Sequence, residues 1–405
     1  MAPAGSMDCI QAAINAGADA IYFGVEQLNM RTRSSGGFSI DDIQDVARLC
    51  HSNHIKAYIT LNTVMYDHDM QLLRIILQEV KRSRIDAVIA SDIAVMQYCT
   101  ELKIPLHVST QANITNMAGV QFYARMADVV VLARELTLQQ VSDITRDIHR
   151  KDIRGVSGEP LKVEVFVHGA LCMAVSGKCY MSLHSQNASA NRGACVQNCR
   201  RPYIVTDAET GEELMIDNEY IMSTKDLCTI HVLDQVVNSG VDVLKIEGRS
   251  KGAEYVYTVT QCYKEALQSI YDGTYTDEKI YEWERRLAMV YNRGFWEGYY
   301  LGHKLGEWTK QPGSIATEKK IYIGKGSKYY PKIQVGEFDI EAGTVKKGDT
   351  LLLIGNAHGM IKEKMEVLVV NGEEAGEAVK GDKLTFKVAT KVTPGDKLYK
   401  VVSNA

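Results

Sequence analysis

The chain has 405 residues, 45% of them hydrophobic, and a formal net charge of -4. This length favours two domains with full-sized cores, and the charge excludes the global basic field of many nucleic-acid-binding domains. No apolar run of about 18 residues and no secretory leader is visible, so we expect a cytoplasmic protein with no membrane partner. In that compartment its nine cysteines are expected to be free thiols, redox groups or metal ligands.

Short apolar runs alternate with amphipathic helical patterns over the first three hundred residues. The predicted strands are residues 20–24, 56–61, 87–90, 106–108, 129–132, 163–167 and 243–246. The predicted helices are residues 6–16, 40–54, 70–82, 93–102, 118–126, 138–148 and 232–239. With a strand stub at residues 1–3, this alternation predicts an α/β fold, a TIM-like (β/α) barrel that is open or incomplete at strand one. A doubly wound fold is disfavoured because no early G-x-G-x-x-G loop occurs.

The composition changes after two further helical patterns, at residues 253–271 and 278–290. Residues 311–320 read as a linker, and residues 321–405 as short β runs separated by turns such as Asn371-Gly372. We therefore predict a barrel over residues 1–310 and a small C-terminal all-β barrel domain over residues 321–405.

Polar side chains collect where the predicted strands end, which in a barrel is the edge that carries active sites. An ordinary polar loop explains any one of them equally well, but not easily all of them together. The candidates are Arg31, Arg33, Asn62, Gln111, Arg134, Glu135, His168, Glu247 and Arg249.

Cysteines are concentrated in the stretch from Glu164 to Tyr203 and just beyond it. They are Cys172, Cys179, Cys195, Cys199 and Cys228. Thiolates from separated loops suit an iron–sulfur cluster better than structural zinc, whose sites use tighter C-x2–4-C pairs. Free buried thiols, a zinc site and a catalytic cysteine paired with His168 remain alternatives at this point. Neighbouring arginines, among them Arg200, would offset the charge of the thiolates.

Several segments together resemble the collagenase-like peptidase family U-32. They are EVFVHGALCMAVSGKCYMS, NRGACVQNCRRPY and STKDLC, with APAG, GADAIYFG, HVSTQ, LARELT and LKIEGR. The resemblance covers nearly all of residues 1 to 310, and its cysteine pattern is highly specific. The C-terminal β segment is similar to the extra domain of longer family members.

The resemblance implies oxygen-independent hydroxylation, because several family members act in this way on a tRNA wobble uridine, on ribosomal RNA or on a ubiquinone precursor. In these members cysteines hold a [4Fe-4S] cluster, and prephenate is the implied oxygen donor. Size and the single appended β domain place the chain nearest the branch that forms 5-hydroxyuridine in tRNA, with tRNA as partner. The implied cluster ligands are Cys172, Cys179, Cys195 and Cys228, with Cys199 as a spare.

Two alternatives stay open. A collagenase-like peptidase would need a nucleophile with a base or a metal-bound water, and neither G-x-S-x-G nor H-E-x-x-H occurs. His168, Glu164 and Glu247 are the candidate catalytic groups, although even spacing in a strand puts Glu164 and His168 on one face about 13 Å apart. The second alternative is a cluster-carrying scaffold subunit that serves a paralogous partner.

A hydroxylase needs a site for a dianionic donor and a surface for RNA. Guanidinium groups bind carboxylates bidentately, so Arg31, Arg33, Arg134 and Arg249 are candidate donor ligands, with Glu135 and Glu247 to orient them. Asn62 and Gln111 are further candidates for substrate contacts. A stretch of lysines and tyrosines at residues 319–332 is a candidate RNA surface, and a solvated face of the β domain is the simpler interpretation.

Overall fold

The structure is a computed structural model, and it describes residues 1–25, 28–30, 37–214, 220–303 and 306–404. The strands of its first part are β1 (Ala2–Pro3), β2 (Ala20–Gly24), β3 (Lys56–Leu61), β4 (Ala87–Ala90), β5 (Leu106–Val108), β6 (Val129–Val131), β7 (Lys162–Ala170), β8 (Val205–Thr206), β9 (Glu213–Leu214), β10 (Asp226–Cys228), β11 (Val243–Ile246) and β12 (Phe295–Trp296). The helices are α1 (Met7–Asn15), α2 (Asp42–Ser52), α3 (Met70–Arg82), α4 (Ile93–Leu102), α5 (Met117–Ala124), α6 (Leu138–Arg150), α7 (Met181–Gln186), α8 (Leu233–Asn238), α9 (Ala253–Tyr271) and α10 (Asp277–Met289).

A parallel sheet forms the centre of this first part. Strands β1 to β7 are neighbours in chain order, and β11 pairs in parallel with β7. Strand β10 runs antiparallel to β7 and parallel to β12. The Met1 amino group donates to the Leu244 carbonyl at 2.8 Å, and the Ile246 amide donates to the Met1 carbonyl at 3.1 Å. The predicted α/β architecture is confirmed, and β1 has only two residues.

Strand β3 illustrates why the sequence folds in this way. Its side chains alternate, so that Ala57, Ile59 and Leu61 pack under the helices while Tyr58 belongs to a smaller cluster on the inner face of the sheet. Because both faces are covered, the strand reads as a nearly continuous apolar run. The polar Thr60 also lies on the inner face, where it lines a cavity.

The C-terminal part is an antiparallel sheet. Its strands are β13 (Glu318–Tyr330), β14 (Val335–Ile340), β15 (Thr344–Lys346), β16 (Thr350–Gly355), β17 (Gly359–Lys364), β18 (Leu368–Val370), β19 (Glu373–Ala375), β20 (Glu377–Val379), β21 (Lys383–Lys387) and β22 (Lys397–Ser403). Eight of them form one sheet in the order β17-β16-β22-β13-β14-β21-β18-β19. Strand β13 begins at Glu318, inside the segment predicted as a linker.

The two parts share a packed boundary. Leu352 and Ile354 belong to the same hydrophobic cluster as the core of the α/β part, and the turn before β17 lies on α1. Asn15 donates a 2.8 Å hydrogen bond to the His358 carbonyl across this boundary. In the part of the chain that the structure describes, the helices are all too short or too polar to cross a membrane.

Candidate functional site

A bulge in β7 decides which of its side chains face the inside of the sheet. Lys245 of β11 is opposite Phe166, and the next residue, Ile246, is opposite His168, so Val167 is an extra residue in β7. An extra residue reverses the side-chain alternation beyond it. Glu164 and Phe166 therefore face inward, whereas His168 faces the helices. The prediction that Glu164 and His168 share a face was wrong for this reason.

The carboxyl ends of the strands surround a cavity of about 200 Å³. The segment that follows β7 supplies cysteine, serine and arginine side chains to its wall. Of the described residues that line it, six are cations and one is an acid, Glu247. The cations are Arg134, Arg200, Lys245, Arg249, Lys251 and Arg293. Two of them, Lys245 and Arg293, form ion pairs with buried acids. In a chain with more acidic than basic residues, the other four cations around one cavity still favour an anionic ligand.

Hydrogen bonds to neutral groups hold several of these cations in place. Arg249 donates to the Asn29 side chain at 3.1 Å and to the Thr60 hydroxyl at 2.6 Å. Arg134 donates to the Ala170 carbonyl at 3.1 Å, and its guanidinium lies 4.1 Å from the centre of the Phe166 ring. The carbonyl and the ring orient the Arg134 guanidinium without neutralising it, so its charge remains available to a ligand.

Lys245 lies at the floor of the cavity in a buried ion pair. Its Nζ is 2.7 Å from Glu164 Oε1, and it also lies 4.6 Å from the centre of the Tyr22 ring. Burial by itself would raise the pKa of Glu164, but Lys245 and His107 together hold that pKa at about 2. His107 Nδ1 is 3.6 Å from Glu164 Oε2, and neither atom has a hydrogen-bond partner among the described residues.

Four cysteines of the segment after β7 line the same cavity: Cys172, Cys179, Cys195 and Cys199. Burial raises the pKa of the Cys199 thiol, and the neighbouring Arg200 lowers it. The other three thiols also raise this pKa, which places them within electrostatic reach of Cys199. Arg200 is fixed beside them by a 2.7 Å hydrogen bond to the Leu171 carbonyl.

Whether these thiols suit a metal depends on whether they bind a single metal ion or an iron–sulfur cluster. Within the described ranges, no three His, Cys, Asp or Glu side chains are close enough together to hold a single metal ion. A cubane cluster makes a different demand, because each of its irons takes one thiolate and the ligating sulfurs surround the whole cluster. Four thiols around one cavity, beside cationic Arg200 and Arg293, match the donor type and number of such a cluster.

Cys228, which the resemblance gives as a ligand, is not brought to this cavity. It lies in β10 opposite His168, is 1% exposed, and its Sγ is 3.9 Å from the Tyr263 hydroxyl. Burial raises its pKa to about 12. The predicted ligands Cys172, Cys179 and Cys195 thus line one cavity with the spare Cys199. Cys228 is buried outside that cavity.

His168 is also remote from the cavity. Its ring lies among Tyr255, Tyr263 and Phe295, and burial lowers its pKa to about 3. A neutral imidazole enclosed by aromatic rings of α9 and β12 has no route to a substrate in the cavity. Gly169 follows it with φ +106°, where a Cβ would collide with the Glu247 carbonyl, so this backbone requires glycine.

The remaining predicted residues divide into three groups. Asn62 and Gln111 line the cavity and share a 3.0 Å hydrogen bond, and Arg134, Glu247 and Arg249 line it as well. Glu135 is exposed and does not line the cavity. Arg31 and Arg33 lie outside the described residues.

Sequence reasoning missed Lys245, Lys251 and Arg293 as site residues. The sequence did indicate Lys245, because it lies within the apolar run Val243–Ile246. Burial of a lysine costs free energy unless its charge is paired, so such a position suggests a function. Arg293 follows α10, far along the chain from the cysteines, and pairs with Asp226 at 3.2 Å. Its place in the site depends on the packing of β10 beside β12, which no local pattern specifies.

Comparisons with known proteins show the family of the chain. Residues 5–310 match peptidase family U32. A protein of Porphyromonas gingivalis named collagenase is 51% identical over 400 residues, 99% of this chain and 97% of that protein. The tRNA hydroxylation protein P of Helicobacter pylori is 30% identical over 74% of this chain and 71% of its own length. A 23S rRNA 5-hydroxycytidine synthase of Escherichia coli is 28% identical over all of this chain and 56% of its own length.

Proposed function

The chain belongs to peptidase family U32, and from this premise we propose that it is an RNA hydroxylase. In its specific form, the proposal is formation of 5-hydroxyuridine at the wobble position of tRNA, with a [4Fe-4S] cluster as cofactor and prephenate as oxygen donor. The cavity carries the proposal, because it combines four thiols with six cations in one small space. Relatives named for hydroxylation of tRNA and of ribosomal RNA support the choice of an RNA substrate.

We assign the cluster to Cys172, Cys179, Cys195 and Cys199, which differs by one residue from the set that the resemblance implies. The reason is position, since Cys228 lies behind the cavity with its thiol against Tyr263. A cluster at these thiols would supply the redox chemistry that oxygen transfer needs. Arg200 and Arg293 would stabilise the thiolates electrostatically at this end of the cavity.

A second group of lining residues suits the carboxylates of the donor. Arg134 is oriented by a backbone carbonyl, Arg249 by hydrogen bonds that include one to Thr60, and Lys245, in its ion pair with Glu164, also lines the cavity. A dicarboxylate held between them would present its body to Tyr22 and Phe166, which also line the cavity.

Proteolysis is the second candidate, favoured by the 51% identity to the protein named collagenase. The cavity offers little for that reaction. Among the described residues that line it there is no histidine, and His168 and His107 are both buried elsewhere. A thiol nucleophile there would therefore depend on Glu247 or Lys245 as its base. The third candidate, a cluster-carrying scaffold for a paralogous subunit, has the same thiols but would need no donor site.

Nucleoside analysis of RNA separates these candidates. We expect tRNA from a strain that lacks the gene to lose 5-hydroxyuridine and its derivatives, and the wild-type gene to restore them. A gene with Cys199→Ser should not restore them, whereas one with the exposed Glu159→Gln should.

Two results would oppose the proposal. One is an unchanged set of nucleosides in both tRNA and ribosomal RNA of the deletion strain. The other is cleavage of gelatin by the metal-free purified chain, with loss of that cleavage in the Cys199→Ser variant; this result would favour the peptidase.

A further inference from the structure

The cavity is too small to hold a length of RNA strand. Its volume of about 200 Å³ is below the ~300 Å³ at which pockets for drug-sized ligands begin. A base that reacts there must leave its stack, and the rest of the RNA must lie on the surface around the mouth. The chemistry of that surface therefore indicates which form of RNA it receives.

The segment after β7, which supplies part of the cavity wall, is positively charged. From Val165 to Thr206 the sequence has four lysines and arginines and no aspartate or glutamate. Since the whole chain has a net charge of -4, this segment is a local exception. Arg192 and Arg200 are engaged within the fold, whereas Lys178 and Arg201 are exposed and have no ion pair with any described residue. Free surface cations beside a reaction site favour a polyanion.

Exposed apolar side chains also stand next in sequence to residues of the cavity wall. Tyr180 is 73% exposed, and Met173 and Val175 are also exposed. Tyr180 follows Cys179 of the cavity wall and precedes α7, and Asn198 of the segment before Arg201 donates a hydrogen bond to Met181 in α7. The three apolar residues and Lys178 therefore belong to one segment and Arg201 to another, and a hydrogen bond joins the two segments. We call Met173, Val175, Lys178, Tyr180 and Arg201 the rim surface.

We propose that the rim surface binds unpaired nucleotides of the RNA, with Tyr180 as a stacking platform for a base next to the one that enters the cavity, and Lys178 and Arg201 as phosphate contacts. This inference rests on the proposed function. Unpaired strands expose the faces of their bases to aromatic side chains, whereas a duplex presents mainly phosphates and hydroxyl groups. A surface that binds duplex RNA would not contact it through exposed apolar side chains such as Tyr180, Met173 and Val175.

The lysines of the C-terminal part are a poorer surface for RNA. Lys320 pairs with Glu254 at 2.7 Å, and Lys325 pairs with Glu341 at 2.7 Å. Acidic partners neutralise these two lysines and repel phosphates, whereas Lys319, Lys328 and Lys332 are exposed and have no ion pair with a described residue. None of residues 319–332 lines the cavity, so we place the candidate RNA surface at the rim and interpret residues 319–332 as a solvated face.

The test measures RNA binding by the full-length chain, purified without oxygen. The probes are a fluorescently labelled, unstructured, uridine-rich RNA of about ten nucleotides and a duplex of the same length. We expect the single strand to bind more tightly than the duplex. Tyr180→Ala should weaken single-strand binding by about 5- to 150-fold, as one lost base–aromatic stack implies. Tyr180→Phe should stay within about twofold, because phenylalanine still stacks.

Control variants separate stacking and charge from general damage. Tyr281→Ala removes a tyrosine of α10 that is 69% exposed, and it should leave the affinity unchanged. Lys178→Gln and Arg201→Gln should each weaken binding and reduce the slope of log affinity against log salt by about 0.7.

Three results would overturn the inference. The Tyr180→Ala variant could bind the single strand within twofold of wild type, or the duplex could bind as tightly as the single strand. A gelatin-derived peptide could also displace the single-stranded RNA from the wild-type chain. The proposed function is judged separately, by the nucleosides of the deletion strain. If those nucleosides are lost while Tyr180→Ala binds normally, the inference fails and the proposed function stands. If the nucleosides are unchanged, the proposed function fails whatever the rim binds.

Discussion

At the scale of single residues, the site depends on charges that the fold has buried. Lys245 and Glu164 are 4% and 0% exposed, and they form one ion pair at the floor of the cavity. The sequence contains the signal for Lys245, since charged residues are rare in covered strands. It does not contain the partner, because Glu164 and Lys245 are far apart in the chain and meet only through the register of β7 with β11.

Replacement of Glu164 by glutamine should destabilise the chain by about 3–5 kcal/mol at neutral pH, because it leaves Lys245 buried without its counter-charge. The pKa of Glu164 is lowered to about 2 from an ordinary value of 4.5. A depressed carboxyl pKa contributes stability that is complete above pH 4.5 and is lost as the pH falls towards 2.

Urea unfolding at a series of pH values checks this prediction. The wild type should lose stability through that window more steeply than Glu164→Gln, whereas Glu159→Gln, an exposed glutamate, should follow the wild type. If the free energy of unfolding changes with pH equally in the wild type and in Glu164→Gln, the ion pair of Glu164 with Lys245 contributes nothing to acid sensitivity.

At the scale of elements, the bulge in β7 and the segment after it define the site. Hydrophobic alternation predicted the strand, and the structure extends it to Lys162–Ala170. It could not predict the extra residue, because Val165, Val167 and Ile246 are compatible with either face. The cysteine segment was recognisable by composition, but its folded path depends on long-range anchors such as Arg192.

Arg192 fixes the cysteine segment to the start of α3. It donates to both oxygens of Asp69, one of them at 3.0 Å, and to the Val64 carbonyl at 2.7 Å. Burial would raise the pKa of Asp69, but hydrogen bonds from Arg192 and from the Tyr66 amide lower it overall. This carboxylate is therefore charged and paired near neutral pH.

Arg192→Gln should release the segment from α3, at a cost of about 1.5–3 kcal/mol for hydrogen bonds to a charged group. Limited proteolysis with mass-spectrometric mapping should then find faster cleavage between residues 171 and 203. Arg201→Gln, an exposed arginine of the same segment, should be cleaved at the wild-type rate. Equal rates for all three proteins would refute the anchoring role.

At the scale of the whole molecule, two sheets with separate cores meet at α1 and β17. The alternation of elements predicted the α/β part and the β-rich C-terminal part, because each pattern reflects local burial. The contact between the two parts was not predictable, since it depends on a close approach of backbones. Gly359 has φ +69°, and a Cβ there would lie 2.5 Å from the Ala12 amide nitrogen.

Gly359→Ala should lower the melting temperature, because the new methyl group forces β17 away from α1 at a cost of about 1–3 kcal/mol. Gly372→Ala is the matched control, since Gly372 has φ +93° but no atom within 4 Å of its Cβ position. Both variants have left-handed strain, so the difference between them isolates the contact. Equal melting temperatures, measured by calorimetry, would mean that the two parts do not stabilise one another at this point.

The central claim is that the four cysteines around the cavity hold an iron–sulfur cluster. Iron and acid-labile sulfide, measured on the chain purified without oxygen, test it most directly. We predict about four irons per chain for the wild type, a similar content for Cys228→Ala, and a large loss for Cys199→Ala. A wild type without iron would contradict the claim, as would a Cys228→Ala variant that loses iron while Cys199→Ala retains it.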